Sequence, residues 1–183
     1  TLERIEEVAK ILRNIGEVSI SENIMSAKWM KLIINTMCLG PVALSGLSSA
    51  KALELAGMRQ MMLKVGTEAL SVGQKLGYTI EPIFGLKKNE IRDTNRLLET
   101  LLDKLISDIG PAARDCVLQD HLKGRLSEVD VINGLVVKEG NNLGIDIHNN
   151  SAIVEITNRI HAGELKPGPE AFRLAQAITS SSI

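Results

Sequence analysis

Apolar residues at the start of the chain recur with the spacing of one helical face. Leu2, Ile5, Val8, Ile11 and Leu12 follow this spacing, which predicts an amphipathic helix that stops at Gly16. Residues 17–20 alternate polar and apolar side chains, which predicts a short strand. Ser19 or Ser21 then caps a second helix that runs to about Leu39, with Gly40 and Pro41 as its stop.

The remainder of the chain is predicted to be helical. A loop with Pro82 and Gly85 spans residues 78–88, and Asp93 or Thr94 caps the helix that follows it. The predicted helices cover about residues 50–55, 58–76, 95–109, 111–122, 127–142 and 150–162, followed by a last short helix after a Pro-rich stretch. The fold class is therefore all-α with one short strand at the N-terminus.

A single strand followed only by helices has no pairing partner in this chain. We therefore expect residues 1–20 to be the end of a missing N-terminal domain and residues 21–183 to form one helical domain. The first residue, Thr1, leads directly into amphipathic helix, which also suggests a segment of a longer protein.

Composition narrows the class of protein further. The 183 residues are 44% hydrophobic but only 2% aromatic, so the core is expected to be aliphatic, which suits helices. A formal net charge of -1 does not favour a nucleic-acid or membrane-surface binder. Two cysteines, Cys38 and Cys116, form no disulfide framework, and no signal peptide or apolar span of membrane length is present. We expect a cytoplasmic protein.

The second helix carries the first candidate for chemistry. It is apolar on nearly every side, yet Lys31 and Asn35 lie four residues apart and therefore share a face. A lysine at such an apolar border is expected to be partly desolvated, which suits a proton donor or base. The alternative is that Lys31 extends to solvent and that Asn35 only bonds a neighbouring helix.

A second cluster lies between residues 116 and 134. Ser127 at an N-cap leaves Glu128 and Asp130 in the first turn of a helix, where negative charge is favoured, so a purely structural role accounts for both carboxylates. Gly134, after Asn133, costs a helix about 1 kcal/mol relative to Ala and indicates that something approaches closely. Helix packing is a more frequent cause than a ligand.

The sequence indicates neither a metal site nor a phosphate cradle for a dinucleotide. His121, His148 and His161 are far apart along the chain, so no metal site is assigned. The chain contains no Gly-x-Gly, so the phosphate cradle of any dinucleotide cofactor is expected outside it.

Three segments in order resemble the C-terminal domain of the ketopantoate reductase (2-dehydropantoate 2-reductase) family, over about residues 21–162. They are Lys28-Trp-Met-Lys31-Leu-Ile-Ile-Asn35, Cys116-Val-Leu-Gln-Asp120 and Ser127-Glu-Val-Asp-Val-Ile-Asn-Gly134. The resemblance implies the helical domain of a two-domain reductase similar to 6-phosphogluconate dehydrogenase. It also implies NADPH-dependent reduction of a 2-keto acid in pantothenate biosynthesis, with NADP bound mainly by the missing domain.

The resemblance also implies roles for single residues. Lys31 would be the general acid, Asn35 would hold the substrate, and Glu128 would line the same cleft against substrate or cofactor. Cys116 would occupy the place of a substrate-binding Ser. The expected partner is a small 2-keto acid, and a homodimer is left open; no nucleic-acid or membrane partner is expected from the charge.

Departures from the family pattern lie at the substrate contacts. Leu39, Cys116 and Ser49 replace an Asn, a Ser and a second Asn, whereas His148 in place of a Pro is interpreted as structural. These departures leave the identity of the 2-keto acid acceptor open. Two alternatives remain: a relative of opine or hydroxyacid dehydrogenases with another 2-keto acid, and a helical dimerisation or sensing module without activity.

Overall fold

The computed structural model describes residues 2–87, 90–91, 96–110 and 112–180. The predicted all-helical class is confirmed over these residues. Their helices are α1 (Leu2–Leu12), α2 (Ile24–Leu44), α3 (Ser49–Leu53), α4 (Met58–Lys75), α5 (Leu97–Asp108), α6 (Cys116–Leu122), α7 (Val129–Leu143), α8 (His148–His161) and α9 (Pro169–Ser180). The predicted caps Asp93 and Thr94 lie outside the described residues.

The strand predicted for residues 17–20 is wrong. These residues form an irregular connection, and no strand occurs anywhere in the described ranges. A strand needs a neighbour for its backbone hydrogen bonds, and the described residues offer none. The segment is exposed except for a half-buried Val18.

Both predicted ends of α2 are also wrong. Asn23, and not Ser19 or Ser21, is the N-cap, because its side chain accepts a hydrogen bond from the Ser26 amide at 3.2 Å. At the other end α2 continues through Gly40 and Pro41 to Leu44. Gly40 lies where α7 and α8 pack against α2, and a Cβ there would be 2.6 Å from Ile153 Cγ2. Tertiary packing therefore overrides two residues that usually end a helix.

Helix α2 is the central element of the core. It packs against α4, α6, α7 and α8, and its contact with α4 is the most extensive. Gly66 and Gly73 of α4 allow this close approach, since a Cβ at either position would collide with Met37 or Trp29 of α2. Burial of α2 on most sides fixes its rotation, and this rotation determines which residues remain at its accessible face.

Helix α1 lies at the periphery of the fold. Ala9 is buried, but the larger apolar side chains remain exposed, among them Leu2, Ile5, Val8 and Ile11. Within the described ranges, no helix is long and apolar enough to cross a membrane.

Candidate active site

A cavity of about 200 Å³ opens along one stripe of α2. The stripe consists of residues three or four apart, namely Lys31, Ile34, Asn35, Cys38, Leu39 and Val42. The opposite wall comes from α3, α4, α5, the loop before α5 and the connection between α5 and α6. Its residues are Ser49, Leu53, Met62, Phe84, Leu105, Ile106, Ile109 and Asp115. Lys31 and Asn35 thus line one cavity, and most of the remaining lining is apolar.

Neither Lys31 nor Asn35 is committed to a structural interaction. Among the described residues, the Lys31 ammonium and the Asn35 amide have no hydrogen-bond or ion-pair partner. Lys31 is exposed, so the partial burial expected from its sequence environment is not provided by the described part of the chain, whereas Asn35 is half-buried. The sequence left two roles open for Asn35, a hydrogen bond to a neighbouring helix and binding of the substrate. The hydrogen bond to a neighbouring helix is not observed among the described residues.

Asp115 also lines the cavity and was missed by the sequence analysis. It is the N-cap of α6, with Oδ1 accepting a hydrogen bond from the Leu118 amide at 2.8 Å. Its Oδ2 atom is buried without a partner among the described residues, and burial raises the pKa of this carboxyl to about 6. Burial, together with the Asp115 charge, raises the pKa of the Cys38 thiol to about 12. The inner end therefore disfavours negative charge.

Cys116 and Glu128 lie beside the cavity and not in its lining. Cys116 is the first residue of α6 and is exposed. Its pKa is raised by partial burial and by the charges of Asp115 and Glu128, which places Glu128 within electrostatic range of the thiol. Glu128 itself is exposed. The site residues taken from the resemblance therefore fall into a cavity pair, Lys31 with Asn35, and a neighbouring pair, Cys116 with Glu128.

Ser127 does not cap α7 as predicted. The N-cap position belongs to Glu128, which makes no side-chain cap hydrogen bond. The Ser127 hydroxyl lies instead 3.2 Å from His121 Nε2 and 3.1 Å from His161 Nε2, because α6 and α8 bring both rings to it.

The two histidines illustrate what spacing along the chain cannot show. His121 and His161 are forty residues apart, yet their rings meet edge to face with centroids 5.5 Å apart. Burial and the neighbouring His161 lower the pKa of His121 to about 4. Within the described ranges, no group of three His, Cys, Asp or Glu side chains could hold a metal ion.

Asn133 and Gly134 have separate explanations. Asn133 is fully buried, and its amide donates to Asn150 Oδ1 at 3.0 Å and to the Thr36 carbonyl at 3.3 Å. The packing expected to explain Gly134 is not found, because a Cβ there would come no closer than 3.6 Å to any described atom, which is an ordinary contact. Asn133 is therefore structural, and Gly134 has no packing reason among the described residues.

The chain matches one known protein family over residues 23–161. The family model for the ketopantoate reductase PanE/ApbA C-terminal domain matches residues 23–161. The 2-dehydropantoate 2-reductase of Archaeoglobus fulgidus is 22% identical over 159 residues, which cover 86% of this chain and 48% of that protein. The chain thus spans about half the length of this curated relative.

Solved structures show the same fold. A PanE/ApbA family ketopantoate reductase from Ralstonia eutropha JMP134 superposes with a TM-score of 0.70 at 24% identity, covering 87% of this chain and 49% of the other. The ternary structure of D-mandelate dehydrogenase with NADH and anilino(oxo)acetate superposes with a TM-score of 0.72 at 16% identity, covering 88% and 49%.

Proposed function

The chain belongs to the family of ketopantoate reductase C-terminal domains, and from this membership we propose that it is the substrate-binding half of an NADP-dependent reductase of a small 2-keto acid. The observation that carries the proposal is the pair Lys31 and Asn35. Both side chains line a mostly apolar cavity, and neither has a hydrogen-bond or ion-pair partner within the part of the chain that the structure describes. Polar groups left free at a concave apolar surface are the usual sign of a ligand site.

Lys31 is the proposed general acid. Reduction adds a hydride to the keto carbon, and the carbonyl oxygen must gain a proton to become the hydroxyl of a 2-hydroxy acid. The ammonium of Lys31 stabilises the negative charge that develops on this oxygen and then transfers the proton to it, an effect worth about 10² to 10⁴ in rate. When bound, the nicotinamide cofactor supplies the hydride.

The other proposed site residues bind and orient the substrate. The Asn35 amide, one helical turn from Lys31, donates a hydrogen bond to the substrate. Cys116 and Glu128 border the site at the N-terminus of α6 and before α7, where Glu128 contacts substrate or cofactor.

We place the cofactor's phosphate cradle in an N-terminal dinucleotide domain outside this chain. The absence of Gly-x-Gly from the 183 residues supports this assignment. The match to the Archaeoglobus relative supports it too, because it covers only 48% of that protein. The exposed apolar face of α1 fits a helix that packs on that domain. Titration of the full-length protein with NADPH and with NADH measures which of the two cofactors it prefers. Cytoplasmic location, which was expected from the cysteine content, and a homodimer remain parts of the proposal.

The test is the rate of NADPH oxidation by the full-length protein with a panel of 2-keto acids. Lys31→Ala should lower kcat about 100-fold or more while the melting temperature is retained, because the lost interaction belongs to the transition state. Lys28→Ala is the matched control, since Lys28 is also exposed on α2 but does not line the cavity. An unchanged kcat for Lys31→Ala, with a primary deuterium isotope effect showing that hydride transfer is rate-limiting, would remove the proposed role.

A further inference from the structure

The cavity beneath Lys31 and Asn35 offers almost no polar groups to a bound molecule. Besides Lys31 and Asn35, the described residues that line it include two further polar side chains, Ser49 and Asp115. The Ser49 hydroxyl already donates to the Ala113 carbonyl at 3.4 Å, and Asp115 Oδ1 is engaged by the Leu118 amide. The remaining described lining is apolar side chains together with the buried thiol of Cys38.

We propose that the substrate is a 2-keto acid with a bulky apolar substituent, branched aliphatic or aromatic, which fills this cavity. The inference rests on the proposed function and names the substrate class of the same site. Leu39 and Ile106 are the specificity-determining residues it identifies, because their apolar side chains line the cavity from opposite walls.

Charge fixes the orientation of such a substrate. Seven residues separate Lys31 from Cys38 along α2, which corresponds to about 10 Å of helix rise. Asp115 lines the same cavity and its Oδ2 atom is buried, whereas Lys31 is exposed, so this carboxyl lies farther from solvent than the ammonium. A substrate carboxylate is attracted to Lys31 and repelled by Asp115, and the opposite end of the molecule must therefore point inward.

The space matches a substituent of this kind. An apolar cavity of about 150 Å³ accommodates benzene, and this cavity measures about 200 Å³. A phenyl ring or a branched alkyl group can occupy it without leaving a large void. A small substituent such as the methyl group of pyruvate would leave most of it unfilled and would gain little from burial.

A hydroxyl on the substituent can meet Asp115 Oδ2, a buried oxygen without a hydrogen-bond partner among the described residues. If that oxygen serves a substrate hydroxyl, ketopantoate is the better substrate. If the apolar lining dominates, the same molecule without its hydroxyl, 3,3-dimethyl-2-oxobutanoate, is better, because a buried hydroxyl loses its hydration. This matched pair of substrates decides between the two cases.

The experiment measures kcat/KM of the full-length protein at saturating cofactor for this pair, for 4-methyl-2-oxopentanoate, for phenylpyruvate and for pyruvate. We expect the apolar acids to exceed ketopantoate by about tenfold or more. Leu39→Asn should reduce the ratio of kcat/KM for the apolar acids to kcat/KM for ketopantoate about tenfold. Ile106→Phe should lower kcat/KM for phenylpyruvate more than for pyruvate. Thermal melts verify that both variants fold. A preference for ketopantoate, or equal rates for the matched pair, would overturn the inference.

Binding separates this inference from the proposed function. Calorimetry with the same acids and with the Leu39→Asn variant does not depend on turnover. Binding of the apolar acids with no reduction of any acid keeps the cavity assignment and overturns the reductase. Binding of no acid overturns both, whereas Lys31-dependent reduction that favours ketopantoate overturns only the apolar substrate class.

Discussion

The indole nitrogen of Trp29 donates a hydrogen bond to the carbonyl oxygen of Ala69 at 2.9 Å, across the contact between α2 and α4. The indole lies directly over Gly73. Lys31 follows Trp29 by two residues, or about 200° around the helix, so it faces away from α4 when Trp29 faces toward it. Anchoring Trp29 therefore helps to set the rotation of α2 that presents Lys31 to the cavity.

Gly73→Ala should destabilise the protein by about 2 kcal/mol or more, because the added Cβ collides with the buried indole. Denaturant unfolding measures the loss, and quenching of the single tryptophan reports the displaced ring. Gly134→Ala is the matched control, since its Cβ has room and Ala is the better helix former. It should be neutral or stabilising by up to about 1 kcal/mol. Equal stability of the two variants would contradict the packing described for Trp29.

A second anchor joins α4 to the start of α8. Glu68 is buried, and its carboxylate accepts hydrogen bonds from the backbone amides of Asn149 and Asn150, both at 2.8 Å. The Asn150 side chain also donates to it, at 2.7 Å, and thereby connects Glu68 to Asn133. The free amides in the first turn of α8 are thus satisfied by a residue eighty positions away.

Glu68→Ala should lower the free energy of unfolding by about 3 kcal/mol, because it leaves buried donors without an acceptor and opens a void. Glu68→Gln keeps the volume but replaces one acceptor oxygen with a donor, so an intermediate loss of about 1–3 kcal/mol is expected. Glu155→Ala, on the exposed side of α8, should change stability by less than about 0.5 kcal/mol. Denaturant unfolding ranks the three variants, and a Glu68→Ala protein as stable as Glu155→Ala would contradict this role.

The sequence predicted helical periodicity well, but it predicted helix caps and contacts between distant residues poorly. Apolar periodicity located α4 within a residue, and the spacing of Lys31 and Asn35 placed both on one face, because these depend on neighbours along the chain. The passage of α2 through Pro41 depends on contacts with Ile153 that no local pattern encodes. The meeting of His121 with His161 is equally remote in sequence. Asp115 could have been found, since an Asp directly before a helical pattern is a common N-cap.

Asp115 should make stability depend on pH in an unusual direction. Its folded pKa of about 6 lies above its ordinary 3.8, so the folded state binds the proton more tightly and this group favours folding as pH falls through that window. Asp115→Asn keeps an N-cap and removes the titration. The variant should be more stable than the parent by about 2 kcal/mol at pH 7.5, and this advantage should shrink toward pH 4. A difference that does not vary with pH would show that Asp115 is not desolvated.

His121 should act in the opposite direction over nearly the same range. Its folded pKa of about 4 lies below its ordinary 6.5, so the unfolded state binds the proton first and stability falls as pH decreases from about 6.5 to 4. In the parent protein this loss and the gain from Asp115 partly cancel, so the measurement compares His121→Gln with the parent at each pH. The parent's stability relative to His121→Gln should fall by up to about 3 kcal/mol between pH 7.5 and pH 4. Because the comparison subtracts the carboxylates common to both proteins, a flat difference would mean that His121 titrates normally and is not held neutral between Ser127 and His161.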